Sequence, residues 1–292
     1  MSENVITSYK GFDKNMECRG FKYEVGKEYE MDGEIKCCNR GFHACKSPIE
    51  VWDYYDMLNS RFAEVEQSGK IDEEEKSTKI CSSRIKIKAE LKLADIINIG
   101  VEWLKDITSP SKVKTDGELN ENGYRRKQIG SSGYSAKIGS SGYSAKIGSS
   151  GDYAQIGSSG YSAKIGSSGD SAQIGSSGDS AQIGSSGYSA KIGSSGDSAQ
   201  IGSSGYSAKI GSSGDYAQID STGEDSVIMC AGNSSIAKAK VGSWITLTEW
   251  KWSDEKKHNV PVCVKTEYVD GEDIKADTWY QLKNGKFVEA NE

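Results

Sequence analysis

An isoleucine recurs every nine residues from Ile129 to Ile228, and this period limits the possible folds of the chain more than any other feature. Ten complete copies of the pattern Gly-Ser-Ser-Gly-[Tyr/Asp]-[Ser/Tyr]-Ala-[Lys/Gln]-Ile fill residues 130–219. A flexible glycine–serine linker needs no apolar residue at a fixed place, whereas self-similarity at a fixed period is typical of a solenoid. We therefore predict that the repeats are folded.

Within one copy the side chains alternate as they do in a short strand. Ala136 and Ile138 fall on one face, with Ser135 and Lys137 on the other. Nine is an odd number, so an uninterrupted strand would turn successive isoleucines to opposite faces, and the chain must turn in every copy. We expect the Gly-Ser-Ser-Gly segment to form the corner, with glycine taking positive φ.

Two copies, or 18 residues, form the expected coil, with two short sheets facing each other and isoleucines meeting between them in two columns. Burying one isoleucine stabilises by about 1.5–3 kcal/mol, while ordering nine residues costs about 13 kcal/mol. Copies must therefore stack and share hydrogen bonds, and ten copies make about five coils.

The charges of the repeats point to a neutral rod. Five lysines balance five aspartates in the ten copies, which argues against mimicry of DNA, and the calcium-binding pattern G-G-x-G-x-D is absent. With 18 residues per coil, Asp179, Asp197 and Asp215 form one column, and we expect their like charges to repel.

The flanking segments are ordinary in composition and give the chain a mixed fold. Residues 1–112 are predicted to form a small α+β domain. It contains a helix in "SPIEVWDYYDML" with a capping box of Ser47 and Glu50, strands in "RFAEVEQSG" and "SSRIKIKAELKL", and a helix in "LADIINIGVEWLKDI".

Three further segments complete the predicted organisation. Residues 113–128 are a linker with a degenerate first repeat, residues 129–245 are the β-solenoid, and residues 246–292 are a small C-terminal β module. In the last of these, Asn284 and Gly285 predict a hairpin turn.

Composition excludes several classes of protein. The net charge of −6 argues against a general nucleic-acid binder, and no apolar run reaches the length of a membrane helix. The start of the sequence lacks the features of a signal peptide, and seven cysteines, an odd number, favour free thiols. We expect a cytoplasmic protein whose partner is another protein or a second copy, with no membrane and no nucleic acid.

The N-terminal segment resembles an uncharacterised domain family that is frequent in phage, prophage and Clostridia-type genomes. The resemblance covers roughly residues 8–95 and is carried by "YKGFDKNMECRGFKYEVGKEYE", "GFHAC" and "SPIEVWDYY" followed by "RFAEVEQSG". Members of the family are often followed by nonapeptide-like repeats. The resemblance implies a phage or bacterial origin and no particular reaction.

Chemistry-bearing residues are few, and all the candidates lie in the N-terminal domain. His43 with Cys45 is the pair available for nucleophilic catalysis, although we expect both to be structural. Cys37, Cys38, His43 and Cys45, with Cys18, are candidate zinc ligands in a spacing that is not a standard knuckle. A pocket for a nucleotide or phosphate would use a set of cationic and aromatic residues, namely Arg19, Tyr23, His43, Tyr54, Tyr55 and Arg61.

No glycine-rich dinucleotide or phosphate loop is present, so no cofactor is expected. The sequence favours a non-enzymatic structural or interaction protein of phage or prophage type, with the solenoid as a spacer or an assembly surface. Two alternatives remain: an enzyme or nucleotide-binding module in the N-terminal domain, and a glycan-binding, adhesin-like rod. A deep pocket with converging polar groups would favour the first alternative, and a flat face would favour interaction.

Overall fold

A computed structural model describes residues 5–74, 77–107 and 128–290. The chain divides into two compact units, Met1–Trp103 and Leu104–Glu292. The calls on the connector, residues 113–128, lie outside the described residues except for Gln128. Within the described residues, no helix combines the length and the apolar character that crossing a membrane would take.

The N-terminal domain is a small α+β unit, as predicted. Its strands are β1 (Ile6–Phe12), β2 (Glu17–Cys18), β3 (Phe21–Lys22), β4 (Glu28–Glu30), β5 (Phe42–Cys45), β6 (Arg61–Glu73) and β7 (Lys79–Leu91). A 3₁₀ helix (Ile49–Asp53) follows β5, and the α-helix α1 (Leu93–Ile107) follows β7.

The five-stranded sheet of this domain closes on itself. Its order is β4-β7-β5-β1-β6, and β6 also pairs with β7. Phe12, Phe42 and Val65 lie in the core that the sheet encloses. Closure brings residues from distant parts of the sequence around one interior, which is what assembles the site described below.

The alternation predicted for "SSRIKIKAELKL" holds only in part. Ile85 and Ile87 are fully buried, but Ala89 is exposed. The register opposite β6 shifts between Glu64 and Val65, so that one residue of β7 is left over between Ile87 and Ala89. A bulge of this kind reverses the face on which later residues lie, and the sequence alone does not mark it.

The capping box predicted at Ser47 is wrong, and so is the length of the helix. The Glu50 carboxylate accepts hydrogen bonds from the Thr78 backbone N–H and hydroxyl, both at 3.0 Å, instead of returning to the helix start. The Ser47 N–H donates to Thr78 Oγ1 at 3.0 Å. The segment is thus tied to β7 and forms only one short 3₁₀ helix.

The repeats form a β-solenoid of about seven coils over residues 128–247. Its strands are β8 (Gln128–Ser131), β9 (Lys137–Ser140), β10 (Lys146–Ser149), β11 (Gln155–Ser158), β12 (Lys164–Ser167), β13 (Gln173–Ser176), β14 (Gln182–Ser185), β15 (Lys191–Ser194), β16 (Gln200–Ser203), β17 (Lys209–Ser212), β18 (Gln218–Ser221), β19 (Val227–Cys230), β20 (Ile236–Ala239) and β21 (Trp244–Ser253).

Two copies per coil are confirmed by the strand register. Even-numbered strands β8–β20 form one parallel sheet and odd-numbered strands β9–β21 form the other. Each residue pairs with the residue 18 positions later, as Ile147 does with Ile165 and Ile156 with Ile174. The isoleucines form two buried columns, with Ile129 at one end only partly buried. Two more coils than expected appear because the degenerate copies after residue 219 keep the same register.

The corner is built differently from the expectation that glycine takes positive φ. The residue after each tyrosine or aspartate is the one in the left-handed region, for example Ser198 at φ 56°. Its N–H donates to the carbonyl of Asp215 in the next coil at 2.8 Å, which offsets the cost of about 1–2 kcal/mol for that conformation. The second glycine of each corner is needed for space: a Cβ on Gly196 would collide with the Gly178 carbonyl.

Corner aspartates hydrogen-bond along the coil axis and are more than a column of like charges. Asp179 Oδ1 accepts the N–H of Asp197 at 2.9 Å, and Asp197 Oδ1 accepts the N–H of Asp215 at 2.8 Å. Asp152, Asp170 and Asp215 make the same bond to the corner residue of the coil that follows each. Each carboxylate therefore supplies an acceptor that links consecutive coils.

The C-terminal strands continue both sheets of the solenoid. They are β22 (His258–Tyr268), β23 (Tyr280–Lys283) and β24 (Lys286–Glu289). β22 pairs antiparallel with β21, and β23 pairs with β20 and with β24. The predicted hairpin turn at Asn284 and Gly285 is confirmed, with φ of 50° and 69°. Both exposed sheet edges at this end are covered, which prevents further strand pairing there.

Candidate functional site

A pocket of about 1500 Å³ opens in the N-terminal domain. Five of the six residues proposed from the sequence as ligand-binding line it, namely Arg19, Tyr23, His43, Tyr54 and Tyr55. Cys45 lines it as well and is buried. The sixth candidate, Arg61, is not among the lining residues; its guanidinium makes a two-pronged ion pair with Glu90, at 2.6 and 2.7 Å.

Arg19 is held at the pocket by the shape of its own turn. β2 and β3 form a hairpin whose two connecting residues, Arg19 and Gly20, have φ of 53° and 75°. Two consecutive left-handed residues are the geometry of a tight type I′ turn. The turn presents the arginine from a fixed loop rather than from a flexible one.

Lys10 lies at the base of the pocket and is 4% exposed. Its Nζ donates to the His43 carbonyl at 3.0 Å and to Cys18 Sγ at 3.5 Å. It also lies 5.4 Å from the centre of the Tyr23 ring. Both hydrogen-bond acceptors are neutral, so among the described contacts no carboxylate offsets this buried ammonium group. Burial lowers the pKa of Lys10, and the nearby thiol of Cys18 acts in the opposite direction.

A short chain of polar groups extends from Lys10. Cys18 Sγ lies 2.9 Å from the Tyr55 hydroxyl, and either atom can donate. The Tyr55 ring fits here because residue 11 is glycine: a Cβ on Gly11 would overlap the ring. Burial raises the pKa of Tyr55, so the phenol stays protonated at neutral pH.

Aromatic rings form one wall of the pocket. Phe21, Tyr23 and Tyr29 pack edge-to-face, with ring centres 4.8–5.3 Å apart. On another side, Lys79 Nζ lies 4.8 Å from the centre of the Tyr54 ring. Such a wall suits a flat ring, and the adjacent cations suit a negatively charged group.

Most carboxylates of the pocket are already engaged. Of the five that line it, Asp13 and Asp56 accept backbone N–H groups of their own turns at 2.8–2.9 Å. Glu28 and Glu30 face Arg84 at 3.5 and 2.9 Å. The cations Lys10 and Arg19 are therefore not matched by equally available acids.

His43 joins the pocket to a second group of side chains. Burial, followed by the charge of Lys10, lowers the pKa of His43, which favours the neutral imidazole. The ligand atoms of Cys37, His43 and Cys81 lie within 4.8 Å of one another, and we call these three residues the thiol–imidazole group. Cys38 and Cys45, the other metal candidates from the sequence, are outside it, although the Cys38 N–H donates to His43 Nε2 at 3.0 Å.

Sequence reasoning missed three residues that the structure places here: Lys10, Lys79 and Cys81. Lys10 was detectable in principle, since it is a charged residue between apolar neighbours in a strand of which the last five residues are buried. Cys81 lies 38 positions beyond His43, and only the pairing of β5 with β7, which sets His43 opposite Cys81, brings them together.

Comparison with known proteins identifies the N-terminal domain only. Residues 6–99 match the model of a family described as a domain of unknown function, DUF7666. The pocket and the thiol–imidazole group fall inside this stretch, whereas the solenoid falls outside it. No curated protein and no solved structure matches the chain. The chain therefore carries a domain of an uncharacterised family, as the resemblance over residues 8–95 indicated.

Proposed function

We propose that the N-terminal domain binds a small anionic ligand of the nucleotide class, and that the solenoid is a spacer that carries this domain. The whole would be a non-enzymatic binding protein of the phage or prophage type that the sequence resembles. The observation that carries the proposal is the buried Lys10 ammonium group, which faces a large pocket with only neutral hydrogen-bond partners.

A buried cation without a carboxylate is costly unless a ligand compensates for it. Arg19 lies close enough to Lys10 to affect its pKa, and both act on His43. These groups would hold a phosphate or carboxylate, and the aromatic wall of Phe21, Tyr23 and Tyr29 would hold a flat base. The two features together favour a nucleotide over a simple inorganic anion.

Native mass spectrometry of the full-length chain with adenosine diphosphate tests this proposal. We expect a complex of one ligand per chain, weakened about 10-fold or more in Lys10→Met because a charge-assisted hydrogen bond is lost. Lys22→Met, which removes an exposed lysine of β3 outside the pocket, is the control and should bind like the wild type. Equal binding by both variants, or no complex with the wild type, would contradict the proposal.

An enzyme is the second candidate, and the hydrogen-bonded chain of Lys10, Cys18 and Tyr55 favours it. An amine and a phenol beside a thiol are the groups needed to move protons during attack by sulfur. Conversion of bound ligand in a single-turnover reaction, lost in Cys18→Ser while binding persists, would establish it. Retained ligand with no conversion supports the binding function.

A glycan-binding rod is the third candidate, favoured by the flat outer face of the odd-numbered sheet. Gly139, Gly157, Gly175, Gly193 and Gly211 form a stripe with open space above each Cα. Retention of the full-length chain on an insoluble polysaccharide, lost in Gly175→Lys, would favour this candidate over the spacer. No retention leaves the solenoid as a spacer.

A further inference from the structure

The thiol–imidazole group has the donor set of a zinc site. Two thiols and one imidazole are the ligands that zinc and other soft or borderline metals select, and hard cations such as magnesium prefer oxygen. Cys37, His43 and Cys81 come from a loop, from β5 and from β7, so the fold of the domain is what assembles them.

The distances within the group suit a metal after a small contraction. In a tetrahedral zinc site with bonds of about 2.0–2.3 Å, ligand atoms lie about 3.3–3.8 Å apart. The three ligand atoms are already within 4.8 Å of one another. Movements of about 1 Å or less, within the reach of side-chain rotation, would complete the geometry.

The loop that carries Cys37 is fixed by the backbone. Lys36 and Arg40 exchange two hydrogen bonds, at 2.8 and 2.9 Å, and Cys38 and Gly41 have φ of 65° and 138°. The Cys37 N–H donates to Asp72 Oδ2 at 2.8 Å. This tight turn returns the Cys37 thiol towards His43, which resembles the way a knuckle presents its ligands.

The surroundings of the three side chains also suit a metal. The His43 ring hydrogen-bonds with the backbone of Gly41, the kind of contact that fixes the orientation of a ligating imidazole. In this structure Cys37 Sγ donates to the Asp72 carbonyl at 3.2 Å, and Cys81 Sγ makes only a long contact of 3.9 Å to the Arg40 carbonyl. Metal binding would replace these weak thiol hydrogen bonds.

We propose that Cys37, His43 and Cys81 bind one zinc ion through their two sulfur atoms and one ring nitrogen, with a water in the fourth position. Both thiols lose their protons to solvent when the ion binds. The site does not depend on the nucleotide pocket, because Cys37 and Cys81 do not line that pocket. Failure of one proposal therefore leaves the other standing.

Metal analysis and cobalt substitution of the reduced full-length chain test the proposal. We expect about one zinc per chain and, with cobalt(II) as the probe, a sulfur-to-metal charge-transfer band in the near ultraviolet. That band should fall to about half in Cys37→Ser and Cys81→Ser, which each keep one thiolate, and zinc affinity should fall by about 100-fold or more. Circular dichroism checks the fold, and Cys37→Ser, on a loop, carries the test if Cys81→Ser does not fold.

Cys38→Ser is the matched control, since Cys38 is the exposed neighbour of Cys37 and lies outside the group. It should keep the full cobalt band and the zinc affinity of the wild type. Less than a tenth of an equivalent of zinc after loading, an equal loss in Cys38→Ser, or a Cys37–Cys81 disulfide in a zinc-free purified chain would each overturn the proposal.

Discussion

The aspartate corners of the solenoid set an attractive hydrogen bond against a repulsion between like charges, and substitution of Asp197 separates the two. Neighbouring carboxylates in the column are about one coil apart, about 4.8 Å, so each pair repels by about 0.9 kcal/mol in water without salt. Asp197 has two such neighbours, Asp179 and Asp215. In about 1 M salt, where the Debye length is about 3 Å, this repulsion falls to roughly a fifth.

The hydrogen bond from the Asp215 N–H to Asp197 Oδ1 at 2.8 Å acts in the other direction. A bond to a charged acceptor contributes about 1.5–3 kcal/mol, and exposure of Asp197 places it near the lower end. Asp197→Ala removes both effects and should change the unfolding free energy little at low salt and cost about 1 kcal/mol at high salt. Asp197→Asn removes the charge but keeps an acceptor.

Comparison of Asp197→Asn with Asp197→Ala therefore isolates the hydrogen bond, because both variants are neutral. We expect the asparagine variant to be more stable by about 1 kcal/mol at both salt concentrations, in urea denaturation followed by circular dichroism. Ser195→Asn against Ser195→Ala, at an exposed position of the same corner, is the control and should differ by less than about 0.5 kcal/mol. Equal stability of the two Asp197 variants would refute the role assigned to the carboxylate.

Three further predictions concern the solenoid. Gly196→Ala should destabilise by about 1–3 kcal/mol because its Cβ meets the backbone of the preceding coil, whereas Gly193→Ala, which points into open space, should be neutral in the same urea titration. Ile174→Ala, in the buried column, should cost about 2–5 kcal/mol, and a cost under 1 kcal/mol would mean a loosely packed core. Burial raises the pKa of Asp220, and the charge of Lys238 opposes this, so the folded state holds that proton more tightly than the unfolded state. The stability of the wild type relative to Asp220→Asn should therefore fall as pH rises from about 4 to 7, and a constant or rising difference would contradict this assignment.

The solenoid was predictable because each of its rules is local and repeated. An odd period, an alternating pattern and a fixed isoleucine determine the coil of 18 residues, and the turn at Asn284 and Gly285 follows from the same kind of local rule. The location of positive φ at Ser198 was not predictable, since the choice between glycine and serine depends on which residue must approach the next coil.

The candidate site was predictable only in outline. Arg19 and His43 were identifiable by residue type, but their meeting depends on closure of the sheet. The Glu50 carboxylate left its expected cap because Thr78, 28 residues away, offers it two donors. Cys81 was invisible for the same reason: strand pairing, which no local pattern encodes, places it beside Cys37 and His43.

The central claim is that the charge of Lys10 recognises the charge of a ligand in the N-terminal pocket. Calorimetric titration of the full-length wild type and Lys10→Met, each with adenosine diphosphate and with adenosine, measures this as a coupling free energy. We expect the wild type to bind the diphosphate about 10- to 100-fold more tightly than adenosine, and Lys10→Met to lose most of that preference. An unchanged preference in Lys10→Met, or no preference in the wild type, would contradict the account.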